Sequence, residues 1–191
     1  MTSGSRRTTE DELRDFARLQ VRAGLLDDAA LHREVAGAIT AELPGVDAGV
    51  LARAWVARAR ADLAAEQEGW PAETDHDRLQ VAFAACAEAG VPVRQGVEDH
   101  WVVKAELDRR ATAGTLPRGI AWFTPADVWH AVDEGMLEVN LWHASTANAA
   151  PGDALLDEVL ACLTRHGLSA HFDEGRIEVG CRWQRRLPEA P

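Results

Sequence analysis

Between residues 10 and 68 the apolar side chains recur every three to four positions, and no stretch of strict alternation interrupts them. That period belongs to helices packed on one another. Three helices are predicted, over 10–23, 28–42 and 48–68, divided by turns at Gly24 and at Pro44-Gly45. The third sets Ala on nearly every face, with Val50, Leu51, Trp55, Val56 and Leu63 between. This predicts packing on more than one side, with Arg53, Arg58 and Arg60 in water. From Thr74 onward the pattern changes. Helices over 75–89, 100–112, 125–134 and 153–166 are separated by short runs of period two at 91–97, 118–123, 136–142, 168–172 and 176–183. The helix over 153–166 repeats apolar residues at Leu155, Leu156, Val159, Leu160 and Leu163, a face expected to lie on the sheet. The predicted fold class is α+β: an N-terminal three-helix segment, then a mixed, about five-stranded sheet with helices covering one face and a C-terminal β-hairpin. The expected divisions are a tail over 1–9, a helical segment over 10–69, an α/β domain over 70–186 and a second tail over 187–191.

Local chemistry sharpens these boundaries. Gly24, Gly69, Gly90, Gly135 and Gly167 each precede an apolar residue, the pattern of a helix end capped in the left-handed conformation. Three starts read as Thr followed three positions later by an acid: Thr9 with Glu12, Thr74 with Asp77 and Thr124 with Asp127. Pro125 fits the first helical position, and Asp27 or Asp28, Asp47 and Asp153 supply further N-caps. Glu98, Asp99 and His100 read as charge placed against a helix dipole.

Alternation assigns two sides to each strand. Val91, Val93 and Val97, Ile120 and Trp122, Leu137, Val139 and Leu141, Leu168, Ala170 and Phe172, and Ile177, Val179, Cys181 and Trp183 form the expected core side. The reverse would carry Arg94, Phe123, Glu138, Asn140, Trp142, Ser169, His171, Glu178 and Arg182. Such a face either meets solvent or the N-terminal helices, or it binds. As a binding face, Phe123 and Trp142 supply a flat apolar platform, Asn140 and His171 polar contacts, and Arg94 and Arg182 paired donors for a carboxylate.

Composition narrows the partner. The chain has 191 residues, 47% hydrophobic and 27% charged, with 20 basic and 31 acidic side chains for a net charge of −11. It is outside the disordered and low-complexity classes. A phosphate backbone or an anionic membrane meets net repulsion, so neither nucleic acid nor membrane is an expected partner. The first seventy residues hold nine basic against twelve acidic side chains and lack the basic stripe of a DNA reader. Acids at Glu10 and Glu12 stand where an export signal needs an apolar run, and no stretch approaches a membrane span. Cys86, Cys162 and Cys181 are odd in number, widely spaced and without a C-x-x-C pair, which fits reduced thiols in a cytoplasmic protein.

The segments Trp70-Pro71, Thr74-Asp75, Asp77-Arg78-Leu79, Ala82-Phe83 and Gly90-Val91 resemble a bacterial family, domain of unknown function 6891. Further matches fall at Arg118-Gly119, Asp127, Ala131-Val132, Arg165-His166-Gly167, Arg176-Ile177, Trp183 and Arg185-Arg186. The resemblance covers most of residues 70 to 186 and extends more weakly into the preceding helices. Where the family carries a His-Gly-Gln-Asp segment after an aromatic strand, this chain has Thr124, Pro125 and Ala126 and keeps only Asp127. The resemblance implies an architecture and brings no activity with it.

Candidate chemistry is sparse. Asp127 and His130 are three apart on one predicted helix, so both could face one divalent cation, with His143 arriving from the next strand and His171 from the hairpin. Glu134 or Glu138 would then be the base of a metal-dependent or acid–base enzyme, although no H-E-x-x-H spacing exists. No nucleophile elbow, phosphate loop or dinucleotide turn occurs. Lys104, the only lysine, sits beside Glu106 and Asp108, which favour its charged form. The leading expectation is therefore a non-catalytic cytosolic interaction or regulatory module, antitoxin-like in one version, with a protein partner and no cofactor. The alternatives are the Asp/His enzyme and a small-ligand sensor.

Overall fold

A computed structural model of the chain describes residues 7–188, which separate into two compact units: residues up to Trp70 together with those from Arg186, and Pro71–Arg185. The tails expected at the two ends lie, for residues 1–6 and 189–191, outside the described residues.

The first unit is helical. Helices α1 (Thr9–Ala23), α2 (Asp28–Glu42) and α3 (Ala48–Gln67) pack through Leu13, Ala17 and Val21 of α1, Leu31, Val35 and Ile39 of α2, and Ala52, Val56 and Leu63 of α3. The first helix starts one residue earlier than its Thr9-Glu12 signature indicates. Thr8 is the N-cap, its hydroxyl accepting from Asp11 N at 3.2 Å while Asp11 returns a carboxylate to Thr8 N at 3.2 Å. Both pairs have the same Thr-x-x-acid spacing, so a one-residue slip satisfies the motif equally well. Asp27 and Asp47 cap α2 and α3. Gly24 closes α1 at φ 60° in the left-handed region, whereas Gly69 ends α3 without entering it, its N–H bonded to Glu66 O at 3.1 Å. Leu187 N donates to Gln67 Oε1 at 3.1 Å, which ties the start of the expected C-terminal tail to this unit.

The second unit holds α4 (Asp75–Glu88), β1 (Val93–Arg94), α5 (His100–Thr112), β2 (Gly119–Trp122), α6 (Pro125–Asp133), β3 (Met136–His143), α7 (Ala154–Arg165), β4 (Ser169–Asp173) and β5 (Arg176–Gly180). The strands form one sheet in the order β1-β2-β3-β5-β4, parallel between β1 and β2 and antiparallel elsewhere. Thr74 with Asp77 and Thr124 with Asp127 form the capping boxes of α4 and α6, with Pro125 in the first turn. Each such cap stabilises its helix by about 1 kcal/mol.

Register fixes the two sides of the sheet, because paired residues project to the same side. Val93, Ala121 and Leu141 share one side with Leu137, Val139, Ile177 and Val179, and helices α4 and α7 cover it. Phe123, just past β2, continues that side, with its ring centroid 5.9 Å from Phe83 of α4 and 6.0 Å from Trp183. Gly119 lies under α7 so closely that an added Cβ would stand 2.6 Å from Leu155 and 2.6 Å from the Trp142 carbonyl oxygen. The side opposite α4 and α7 is not left bare. Val103 and Leu107 of α5 pack there against Ile120 and Trp122, with Val97 and Trp142 at the margin.

Three strand expectations change in detail. β1 is two residues long instead of spanning 91–97, because only Val93 and Arg94 find a partner strand. β5 stops at Gly180 instead of Trp183. Beyond it Cys181 N bonds Gly135 O at 2.9 Å and Trp183 N bonds Ala131 O at 3.2 Å, so the chain leaves the sheet and runs beside α6. Ile120 and Trp122 lie on the same side as Asn140 and Trp142, not opposite them.

Candidate functional site

The start of α5 carries the most exposed large apolar side chain among the described residues. Asp99 caps the helix, its carboxylate accepting from Trp101 N at 2.8 Å and Val102 N at 3.2 Å. Val103 and Leu107, four apart, face the sheet, and this rotation turns Trp101 and Val102 outward. Trp101 is 62% exposed and Val102 46%. Trp101 is also the outer end of a series of rings. Its centroid is 4.6 Å from His100, His100 is 6.2 Å from Trp142, and Trp142 meets the buried Trp122 edge-on at 5.5 Å. The indole N–H of Trp122 is buried without an acceptor, a cost of about 1–3 kcal/mol borne for this packing. A continuous aromatic surface results, rooted in the sheet and open at Trp101.

Of the six residues expected to form a binding face, the structure gathers three here and disperses the others. Trp142 is half-buried within the ring series. Asn140 shares its side of the sheet, with its amide 3.5 Å from the Trp122 carbonyl oxygen. Arg94 is also on this side but is not an open donor. It meets Glu106 with two bonds, at 2.7 and 2.5 Å, and Arg110 joins Glu106 at 2.8 Å. The Arg94 hydrogen bond holds the Glu106 carboxyl below its ordinary range, with Arg110 adding to the effect. Phe123 is fully buried on the α4–α7 side, so it belongs to the core and not to a platform. The run Ile120-Ala121-Trp122-Phe123 is apolar at every position, so alternation alone could not tell its sides apart.

His171 and Arg182 stand elsewhere. His171 is exposed on the edge strand β4, 3.3 Å from Glu178. Arg94 on β1 is at the other edge, four strand spacings or about 19 Å away. Arg182 lies past the end of β5, its backbone N–H donating to Asp75 at 3.2 Å. Arg94 and Arg182 therefore do not act as a pair, since β2 and β3 separate β1 from β5.

The proposed metal ligands do not converge. Asp127 is buried, with one carboxylate oxygen taking Thr124 N at 2.7 Å and Thr124 Oγ1 at 2.8 Å, and the other 3.5 Å from Arg176. Its role is the capping box plus an ion pair. His130 is exposed in the last turn of α6. His143 bonds Asp153 at 2.9 Å, which with the Ala150 N–H keeps the Asp153 carboxyl below its usual range. Asp153 stands at the N-cap position of α7, yet its carboxylate makes no cap bond there. Among the described residues, no three His, Cys, Asp or Glu side chains come together in a way that could hold a metal ion. Glu138, the candidate base, is paired with Arg176. Lys104 donates to Asp108 at 2.8 Å. The three cysteines are buried free thiols. Burial, with the neighbouring Cys162 thiol, pushes Cys86 up to about 12, and burial with Asp75 does the same for Cys181.

Trp101 is the residue that sequence reasoning passed over. Its signal was present: Val103 and Leu107 define the buried stripe of α5, and position 101 falls roughly 160° from Val103 on a helical wheel.

A mixed five-stranded sheet backed by α4 and α7, preceded by three helices and bearing an aromatic surface apart from any cluster of metal-ligand type, places the chain among α+β domains. It belongs to the family described as Domain of unknown function (DUF6891), whose signature matches residues 6–187 and so takes in the N-terminal helices as well as the sheet. No curated protein and no solved structure matches it. Thr124, Pro125 and Ala126 form the cap and first turn of α6.

Proposed function

We propose that this protein is a non-catalytic, cytosolic interaction module that contacts a protein partner through the surface formed by Trp101, Val102, His100 and Trp142. The observation carrying this reading is the exposure of Trp101 at the end of a ring series anchored in the sheet. Exposed, pre-positioned tryptophans are the side chains that dominate protein interfaces, because they bury large area with little loss of conformational freedom. The unit carries ten basic and eighteen acidic side chains between Pro71 and Arg185, and Glu98 and Asp99 directly precede the patch in the chain. This favours a partner segment with an apolar residue between basic ones. Binding is favoured over turnover because Asp127 is engaged in a cap, Glu138 with Arg176 and His143 with Asp153, and because the described residues form no cluster able to hold a metal ion. Three reduced thiols and the lack of any described helix long and apolar enough to cross a membrane support the cytosolic placement.

Affinity capture from bacterial lysate tests the reading, with the wild type compared against Trp101→Ala. This substitution removes a ring that is 62% exposed, so an unchanged circular dichroism spectrum is expected. Loss of about 2 kcal/mol at the contact weakens the affinity about 30-fold, and recovery of the partner falls with it. Equal recovery by both proteins refutes the role of this surface.

A further inference from the structure

Helices α1 and α3 of the N-terminal unit enclose a groove of about 440 Å³, within the range of small-molecule sites. Its apolar part is Trp55, Ala59 and Leu63 of α3. Its charge comes chiefly from α1, where Arg14, Arg18 and Arg22 recur every fourth residue and so line one face, with Arg7 before them and Arg58 across the groove. Five guanidinium groups line it with three carboxylates, Asp11, Asp15 and Asp62, and Glu10 and Glu66 pair with Arg14 and Arg22, so the charges balance locally in a chain whose net charge is −11.

The guanidinium groups are held by carboxylates that an incoming anion could replace. Arg18 meets Asp15 through Nε at 2.7 Å, Arg58 meets Asp62 through Nε at 3.0 Å, and Arg7 is 3.5 Å from Asp15. Arg14 pairs with Glu10 and lies 3.4 Å from Asp11, and Arg22 pairs with Glu66. The Arg7, Arg14 and Arg58 side chains are 71%, 52% and 79% exposed, so water screens their ion pairs strongly. The Arg14 guanidinium also lies 5.5 Å over the Trp55 ring, so a flat surface and a cation already stand side by side. An occupant that matches both has a planar apolar ring and an anionic substituent: the ring packs on Trp55, and the anion meets the arginine fork.

We propose that the α1–α3 groove is a binding site for a small organic anion bearing a planar ring. Aromatic carboxylates and mononucleotides both carry this chemistry. The site is independent of the Trp101 surface.

Fluorescence titration of the full chain with anilinonaphthalene sulfonate, a ring-bearing sulfonate, tests the site. Saturable one-to-one binding is expected. Arg14→Gln combined with Arg58→Gln weakens it at least tenfold, and so does Trp55→Leu. Both arginines are exposed, so their variant decides the matter if Trp55→Leu fails to fold. N-phenylnaphthylamine, which has the rings without the sulfonate, binds at least tenfold more weakly. Displacement of the dye by salicylate or by adenosine monophosphate identifies the carboxylate or the phosphate source. Dye affinity unchanged in the arginine variant, equal affinity for the uncharged naphthylamine, displacement by inorganic phosphate as effective as by the ring-bearing anions, or displacement by neither salicylate nor the nucleotide each overturns the proposal.

Discussion

The helical unit and the sheet unit are stabilised by different kinds of core. In the first, the fully buried positions are aliphatic and small: Ala17, Val35, Ile39, Ala52 and Val56 let three helices approach closely, while Trp55 and Trp70 stay at the margin. In the second, Phe83, Phe123 and Trp183 interlock on one side of the sheet and Trp122 with Trp142 on the other. Charge divides similarly, with a balance of −3 for residues 1–70 with 186–191 and −8 for 71–185. Close helix packing leaves long arginines along the rim of a groove. A two-sided aromatic core brings rings out to the surface at α5. Each unit's candidate surface is thus a by-product of how its interior is filled.

The sharpest way to break this contrast is to remove a ring from the sheet unit. Phe123→Ala deletes a fully buried side chain that touches Phe83 and Trp183, and costs about 3–5 kcal/mol. Ile39→Val, one methyl out of the helical core, costs about 1 kcal/mol. Urea unfolding followed by circular dichroism measures both, and equal effects would remove the distinction. Two glycines sharpen the comparison next. Gly119→Ala drives a methyl into Leu155 and a backbone carbonyl that cannot yield, and destabilises by about 1–3 kcal/mol. Gly37→Ala in α2 meets nothing within 4 Å and stabilises by about 0.5–1 kcal/mol through lost freedom of the unfolded chain. A shared sign for the two substitutions would contradict the packing described.

A pH effect belongs to the sheet unit. Burial, with Arg185 nearby, lowers the His76 pKa from 6.5 to about 4, and its ring stands edge-on to Trp183 at 4.8 Å. Below pH 6.5 the unfolded chain takes up this proton while the folded chain excludes it. The stability it contributes is therefore present above pH 6.5 and is lost as pH falls to 4, by about 1–2 kcal/mol after screening. His76→Gln flattens the urea midpoint across that window. An unchanged pH profile in this variant would assign the effect to other groups.

The helices were legible in the chain because their ends carry chemistry that only helix ends use. Thr74 with Asp77, Thr124 with Asp127, and Asp27 and Asp47 cap as expected, whereas Thr8 takes the place of Thr9, Asp153 makes no cap bond, and Asp99, read as charge against the dipole, is itself the cap of α5. The strands were located but not fully oriented. Met136 to His143 alternates cleanly and pairs on both edges, whereas 120–123 is apolar throughout because α5 covers the side that α4 and α7 do not. That second cover lies outside strand periodicity, so Phe123 was expected on the wrong side. The site was partly legible: Trp142 was singled out, but Trp101 required the rotation of α5, and the arginine stripe of α1 required knowing that α3 lies beside it.

All three cysteines lie between Pro71 and Arg185, and none lies in the N-terminal helices. All three thiols are buried, and burial holds Cys86 and Cys181 protonated far above neutral pH, so an alkylating reagent is expected to label them chiefly when the sheet unit opens. The chain thus contains its own stopwatch for one half of the molecule: the rate of iodoacetamide incorporation times the opening of the sheet unit, with the three helices chemically silent.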